Sequence, residues 1–478
     1  MDIQQLYKIY LDHSSIQTDT RKISQGDLFF ALKGPNFNGN QFALRALELG
    51  AAYAVVDEPV LPPISASVPV NTSIPISASG PISAPSVDAD RIIRVDDVLQ
   101  TLQQLALHHR QQFSIPFIAI TGSNGKTTTK ELIHAVLSAA YTVYTTEGNL
   151  NNHIGVPLTL LSVRPDAQFA VIEMGANHQR EIAGYCRYAL PTHGLITNAG
   201  LAHLEGFGGP EGVKKGKGEL FDFLRGNDNG GNGDGDNDGD GGAISGTAFV
   251  MWDYDYLRKM SGGIPHIVSY GTKDADYNGV VAQDNPFLSV AITHGAATGI
   301  IHTQLVGDYN LPNVLAAVAV GKHFGVPDAS IREAIANYTP SNSRSQLIEK
   351  DGNHIILDAY NANPSSMRAA IENFARMGNG GADAIGNGGP RGGKVLILGA
   401  MAELGTDSPQ EHQHIVDLIA QYPWRHVALV GGDFLKTRHP WLSFKDAAEA
   451  GAWLKDADLQ DAYILIKGSR SMKMETAL

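Results

Sequence analysis

The sequence predicts an α/β protein of three domains built on parallel sheets. One observation is length: globular domains run ~100–200 residues, and the chain has 478. A second is a series of short apolar runs: FIAI (117–120), FAVIEMG (169–175), GLITN (194–198), KVLILG (394–399), HVALVGG (426–432) and AYILIKG (462–468). They do not alternate apolar with polar residues, which is the pattern of strands covered on both faces. The third is that most of these runs lead into a glycine and then into helical spacing, as in βα units. After FIAI, for instance, Leu132, Ile133, Val136 and Leu137 share one face of a helix. Ligands of such sheets gather at the carboxyl ends of the strands.

Composition narrows the function. Hydrophobic residues make up 43% of the chain, enough for large cores, and no apolar run approaches the ~18 residues of a membrane span. The start, MDIQQLYKIYLDHSSI, lacks a charged-then-apolar leader, so a cytoplasmic protein with no membrane span is expected. A net charge of −13 argues against a nucleic-acid-coating protein, because phosphate binding needs clustered Lys and Arg. Cys186 is the only cysteine, which excludes an internal disulfide and a multi-cysteine metal site. Its expected role is a small buried hydrophobe.

Three segments interrupt the βα pattern: 60–87, with PISAS at 63–67 and 75–79 and PISAP at 81–85; 226–242, GNDNGGNGDGDNDGDGG; and 378–393, GNGGADAIGNGGPRGG. All are too polar or too rich in Gly and Pro to repay their ordering entropy, and read as lengthened loops. The string DGDNDG from Asp234 resembles a calcium loop, but the twelfth position, which should be Glu, is Ser245. A solvated spacer is the expected reading.

The strongest chemical signal is TGSNGKTTTK (121–130), directly after a strand and opening a helix. Gly122 and Gly125 let backbone N–H groups turn into a concavity that fits phosphate oxygens, beside Thr121, Ser123 and Asn124. The helix N-terminus with Thr128 adds partial positive charge, Lys126 reaches the β/γ-phosphates, and the Thr127 hydroxyl suits magnesium. Counted from Gly122, the loop is one residue shorter than the G-x-x-x-x-G-K-[ST] form, which points away from ordinary P-loop kinases and GTPases. Glu173 ends the strand AVIE; by itself it is either a magnesium carboxylate or a capping or salt-bridged residue. His203 lies after the next strand, and Lys217 belongs to a basic cluster with Lys214 and Lys215. Taken alone these read as loop and surface residues.

The sequence as a whole resembles the Mur ligases. The resemblance rests on TGSNGKTTTKE, TEGNLNNHIGVPLTLL (146–161), EMGAN (173–177), ITNAGLAHLEGFG (196–208), KGKGELF (215–221), DAYNANPSSM (358–367), KGSRSMKME (467–475) and TDTRKISQGDLFFALKGPNFNGNQF (18–42). It spans the chain except the three inserts and is nearest to the members that add D-alanyl-D-alanine. It implies an N-terminal UDP-binding domain (1–113), a central P-loop ATPase domain (114–340) and a C-terminal Rossmann-like ligase domain (341–478) that closes over the site. It also implies an ATP-dependent acid–amino-acid ligase of peptidoglycan precursor synthesis. ATP would phosphorylate the terminal carboxylate of UDP-MurNAc-tripeptide, and the amine of D-Ala-D-Ala would attack the acyl phosphate. A monomer using two magnesium ions is expected.

Carried onto this chain, the resemblance puts Lys126 and Thr127 on the phosphates and the first magnesium, with Glu173 as its carboxylate and His203 on the second. Lys217 matches a lysine that is carbamylated in related ligases. Asn310 and Asn313 match adenine-contacting asparagines, Arg344 an arginine reaching ATP from the domain junction, and Asp358 a residue meeting the nucleotide on closure. Thr18, Asp19, Thr20, Arg21, Lys33 and Gly34 would contact uridine diphosphate. Asn149, Asn151, Asn152, Tyr360, Asn361 and Asn363 would face the sugar-peptide substrate. Lys467, Ser469 and Arg470 are candidates for the D-Ala-D-Ala carboxylate or for closure contacts. One departure stands out: Ala400 in GAMAELG (399–405) replaces an aspartate common in these ligases, while Glu403 is kept. The rival readings are a sibling ligase adding a single amino acid, a folylpolyglutamate synthase-like ligase, and a nucleotide-binding switch without ligation.

Overall fold

The computed structural model describes residues 1–60, 89–226, 246–284, 286–340, 343–377 and 392–478. The insert readings for 61–87, 227–242 and 378–391, the calcium loop among them, lie outside these residues. Chain contacts define two compact units: residues 1–114 with 147–165 and 187–190, and residues 115–146, 166–186 and 191–478.

In the first unit, strands Ile16–Gln17, Leu28–Phe30, Tyr53–Val56 and Ile92–Arg94 form a parallel four-stranded sheet in that order. Its core joins Phe29, Ala31, Ala54 and Val56 to Ala43 and Ala46 of the helix Ala43–Glu48. The opening helix, Ile3–Asp12, starts at a capping box in which Asp2 and Gln5 satisfy each other's backbone N–H groups. Tyr10 on that helix donates its hydroxyl to Leu161 O at 2.5 Å, and His109 Nε2 meets Val163 O at 2.8 Å. These contacts fasten the segment 147–165, with its three asparagines, to this unit.

The second unit holds two sheets. The larger has nine strands in the spatial order Val143–Thr145, Phe169–Glu173, Phe117–Thr121, His193–Ile196, Thr247–Met251, His266–Gly271, Tyr277–Asp284, Phe287–His294 and Ile300–Val306. The first seven pair in parallel and the last two pairings are antiparallel. The residues of Phe117–Thr121 and Phe169–Glu173 are all buried. Each Ile, Val or Phe buried there contributes roughly 1.5–3 kcal/mol relative to exposure. The helix Lys126–Ser138 lies against this sheet with Leu132, Ile133, Val136 and Leu137 fully buried. Beside it runs Leu311–His323, buried from Val314 to Gly321, as expected for a helix apolar all round.

The smaller sheet orders Gln346–Lys350, Asn353–Asp358, Tyr463–Lys467, Lys394–Gly399, His426–Val430 and Leu442–Phe444; only its first strand is antiparallel. Its helices include Pro364–Arg376, capped by Asn363, and Ser408–Ile419. All six apolar runs named from the sequence are strands, so the α/β expectation holds. The antiparallel ribbon 277–306 was not foreseen, because its half-polar strands give no long apolar run. Cys186 is buried, as expected. Among the described residues no helix is long and apolar enough to cross a membrane.

Candidate active site

The phosphate loop comes directly after the strand Phe117–Thr121. Gly122 has φ +141° and Gly125 φ +80°, both in the left-handed range that favours glycine. A Cβ on Gly122 would overlap the Thr197 hydroxyl, and one on Gly125 would lie 2.7 Å from Asn313 Oδ1. The loop after the neighbouring strand braces it from behind. Ser123 N donates to Asn198 O (2.9 Å), Ser123 Oγ to Gly200 O (2.9 Å), Asn124 N to Asn198 Oδ1 (3.1 Å), and Thr197 Oγ1 to Asn124 O (2.6 Å). Sequence reasoning missed this brace. The ITNAG run pointed to it, since polar residues directly after a buried strand need partners.

Asn313 accepts from Thr129 Oγ1 (3.0 Å) and donates to Asn310 Oδ1 (2.9 Å), and Asn310 donates to Val306 O (2.9 Å). Both asparagines are buried. Here they support the loop and its helix from the inside.

Three candidate residues, Glu173, Lys217 and Arg344, lie within electrostatic reach of Lys126. Lys126 Nζ donates to Gly122 O (2.7 Å) and Ser123 O (3.2 Å). Desolvation lowers its pKa, the Glu173 carboxylate opposes that shift, and the Arg344 charge adds to it. Lys217, 1% exposed, donates to Ala176 O (3.0 Å) and lies 4.9 Å from the Phe207 ring centre. Burial, and then the Lys126 charge, pushes its pKa well below the usual lysine range. Glu173, 1% exposed, ends its strand with its N–H donated to Thr146 Oγ1 at 2.9 Å. Thr127 is also buried, whereas Thr128 is only partly so.

The donor set includes a buried hydroxyl at Thr127 and a buried carboxylate at Glu173, beside two lysines. These are oxygen ligands of the kind magnesium takes when it shares its shell with phosphate and water. Among the described residues no group of three or more His, Cys, Asp or Glu could hold a metal unaided. The residues therefore fit magnesium carried with a nucleotide.

The smaller sheet supplies the opposite wall. Asn363, besides capping its helix, donates from Nδ2 to Asn124 Oδ1 at the phosphate loop (2.7 Å), and Leu201 N donates to Ser365 Oγ (3.0 Å). The Arg344 guanidinium stacks 3.6 Å from the Tyr360 ring centre, and its buried Nε has no hydrogen-bond partner. Its neighbours Ser343 and Ser345 have φ +56° and +47°, so the arginine is held between two left-handed residues.

Lys467 Nζ donates to Asp358 Oδ2 (2.5 Å) and Asn361 O (3.3 Å) and is 2% exposed. Ser469 Oγ donates to Ala400 O (2.7 Å). Lys467 and Ser469, candidates for a dipeptide carboxylate or for closure contacts, are thus hydrogen-bonded within the fold. Arg470 is exposed and pairs with Glu475 at 3.0 Å.

His203 meets a residue the sequence reading left without a role. Its Nδ1 lies 2.5 Å from Glu403 Oε2. The imidazole beside it lowers the Glu403 pKa, through close contact rather than a well-aligned hydrogen bond. Both residues are left-handed, with φ +53° and +62°. Such backbone costs ~1–3 kcal/mol per residue, whereas a partly exposed ion pair returns ~0–1 kcal/mol. Stability alone does not account for the arrangement.

The first unit carries the remaining candidates. Arg21 and Asp19 form a 2.6 Å ion pair, and hydrogen bonding from Arg21 holds the Asp19 carboxyl down at about 2. Thr18 and Thr20 flank that pair, half-buried. Lys33 is 3.2 Å from Asp57 and 3.4 Å from Glu58, on a short hairpin with Gly34. Asn152 Oδ1 accepts from Ile154 N (3.1 Å) and Gly155 N (2.9 Å), opening the helix Gly155–Ser162, and Asn149 is exposed. Asn151 N donates to Asn149 O at 2.8 Å.

Comparison with known proteins decides the family. Residues 13–110 match the model described as Mur ligase family, catalytic domain; 120–321 match Mur ligase middle domain; and 343–470 match Mur ligase, glutamate ligase domain. A relative from Bacillus subtilis (strain 168), UDP-N-acetylmuramoyl-tripeptide–D-alanyl-D-alanine ligase, is 33% identical over 96% of this chain and 91% of its own length. The chain belongs to the Mur ligase family.

This Mur ligase is also 32% identical to the relative of the same name from Escherichia coli (strain K12), over 96% of this chain and 92% of that one. Among solved structures it is similar to MurF from Acinetobacter baumannii, with TM-score 0.77, 29% identity and coverage of 99% and 97%. MurF from Thermotoga maritima in complex with ADP shares the fold at TM-score 0.76 and 23% identity, covering 97% and 96%.

Proposed function

We propose that this Mur ligase joins D-alanyl-D-alanine to UDP-N-acetylmuramoyl-tripeptide at the expense of ATP, through an acyl phosphate. The observation that carries this reading is the near full-length likeness to relatives named for that reaction. The braced phosphate loop supports the use of ATP. We assign uridine-nucleotide binding to residues 1–113, ATP binding to 114–340 and ligase closure to 341–478.

In this reading the phosphates of ATP rest on the N–H groups of residues 122–128, and Lys126 turns from Gly122 O and Ser123 O to the β/γ-phosphates. A carboxylate oxygen of the tripeptide bonds to the γ-phosphorus, the bridging P–O bond breaks, and ADP leaves with that electron pair. The resulting acyl phosphate is a far better electrophile than a carboxylate. The dipeptide amine then bonds to its carbonyl carbon, the C–O bond to phosphate breaks, and the amine proton passes to solvent. Thr127, Glu173 and His203 are the residues that would hold magnesium, which when bound neutralises the oxygens around the transferred phosphoryl group. Arg344, fixed by Tyr360 and with Nε unsatisfied, points to a role on the same phosphates.

Lys217 is the residue for carbamylation. Its lowered pKa favours the neutral amine, which adds carbon dioxide by forming an N–C bond and losing a proton. The product replaces that buried neutral amine with an anion beside the Lys126 cation.

The test uses tripeptide labelled with heavy oxygen in its terminal carboxylate. The acyl-phosphate route transfers one labelled oxygen to the released phosphate and yields UDP-MurNAc-pentapeptide. Unlabelled phosphate, or pentapeptide formed without ATP, contradicts it.

A further inference from the structure

We infer that Glu403 is a positioning residue for His203, supplied from the smaller sheet to the larger one, so that the imidazole is set for its task only when the two are packed together. The inference rests on the proposed reading of His203 as a metal-binding residue.

The geometry is specific. His203 precedes the short helix Leu204–Phe207, which comes after the larger sheet's strand His193–Ile196, and Glu403 lies in the turn after Lys394–Gly399 of the smaller sheet. These two loops meet at the carboxyl ends of their strands, where the carboxylate and Nδ1 are 2.5 Å apart. Both residues hold a left-handed backbone that non-glycine residues rarely adopt. Next to them Gly405, at φ +57°, leaves so little room that a Cβ there would lie 3.2 Å from Glu205 Cβ, so the same two loops are in contact at a second point.

Chemistry gives the contact its direction. A carboxylate at Nδ1 favours the tautomer with the proton on Nδ1, which leaves the lone pair on Nε2. Histidines that bind metals are commonly oriented by such a partner on the other ring nitrogen, and losing the partner typically costs 10–100-fold in activity or metal affinity. Glu403 is about half exposed, so its removal opens no cavity. The turn that lost its aspartate at Ala400 thus keeps a functional carboxylate three residues later.

A double-mutant cycle with a metal-free readout tests the inference. Glu403→Ala should lower kcat by on the order of 10–100-fold with the KM for ATP within about twofold, and Glu403→Asp should recover part of that loss. In a His203→Ala background, adding Glu403→Ala should cost nothing further. In the free protein, the nitrogen chemical shifts of the His203 imidazole should report an Nδ1–H tautomer that becomes mixed in Glu403→Ala and Glu403→Gln. Additive losses in the double mutant, or an unchanged tautomer, overturn the role of Glu403. A His203→Ala enzyme with unimpaired turnover instead overturns the metal reading beneath it. Should Glu403→Ala fold poorly, Glu403→Gln carries the tautomer measurement with nearly the same shape.

Discussion

At Lys126 three influences act on one ammonium: desolvation and Arg344 disfavour its charge, and Glu173 favours it. In the free protein it bonds to two carbonyls of its own loop, bonds that phosphate oxygens would replace with stronger, charge-assisted ones. Lys126→Ala should therefore lower kcat by on the order of 10²–10³, the scale of losing one transition-state donor, while UDP-substrate binding stays within about twofold; steady-state kinetics with isothermal titration decides, and near-normal turnover contradicts the phosphate role. Residues of this kind were legible because their chemistry is written locally, glycines and a Lys-Thr pair directly after a strand. Glu403 was not, since its meaning comes from a histidine two hundred residues earlier in the chain. Nor was the burial of Lys467, whose partner Asp358 is adjacent only because Asn353–Asp358 and Tyr463–Lys467 are paired strands.

For single elements, the helix Lys126–Ser138 starts at a glycine in the left-handed conformation, backed by Asn313. Gly125→Ala should cost ~1–3 kcal/mol from backbone strain, read as a lower melting temperature, and should weaken ATP binding; unchanged values of both would show that the loop tolerates a side chain there. A cluster on the larger sheet sets a pH dependence. Burial, and secondarily the His323 charge, holds His193 down at about 4. The unfolded chain keeps an ordinary histidine pKa of ~6.5, so between these values it binds more protons than the folded protein. Stability therefore rises with pH through that window and is lost as pH falls from about 6.5 to about 4. His193→Gln should flatten the melting-temperature profile over that range, and a profile as steep as the parent's would assign the effect to other groups. Elements made of uninterrupted apolar runs were readable from period alone. The ribbon 277–306 was not, because a half-exposed antiparallel strand looks like a polar loop until its partner is known.

Taken whole, the second unit brings Glu173, Lys217 and Arg344 within reach of Lys126 in the phosphate loop and ties Asn363, Ser365 and Glu403 to the loops of the larger sheet. Short-range motifs and their order named the candidate residues for this centre. Which of them contact each other depends on how the sheets pack, and that was not legible. The reaction needs each substrate's binding energy to reach the same few atoms, so ATP turnover should depend on the acceptor. Phosphate release measured with ATP, magnesium and UDP-MurNAc-tripeptide, comparing D-alanyl-D-alanine with single amino acids, tests this most directly. The account predicts rapid release and pentapeptide formation with the dipeptide alone. Equal release with every acceptor, or none with any, would contradict it.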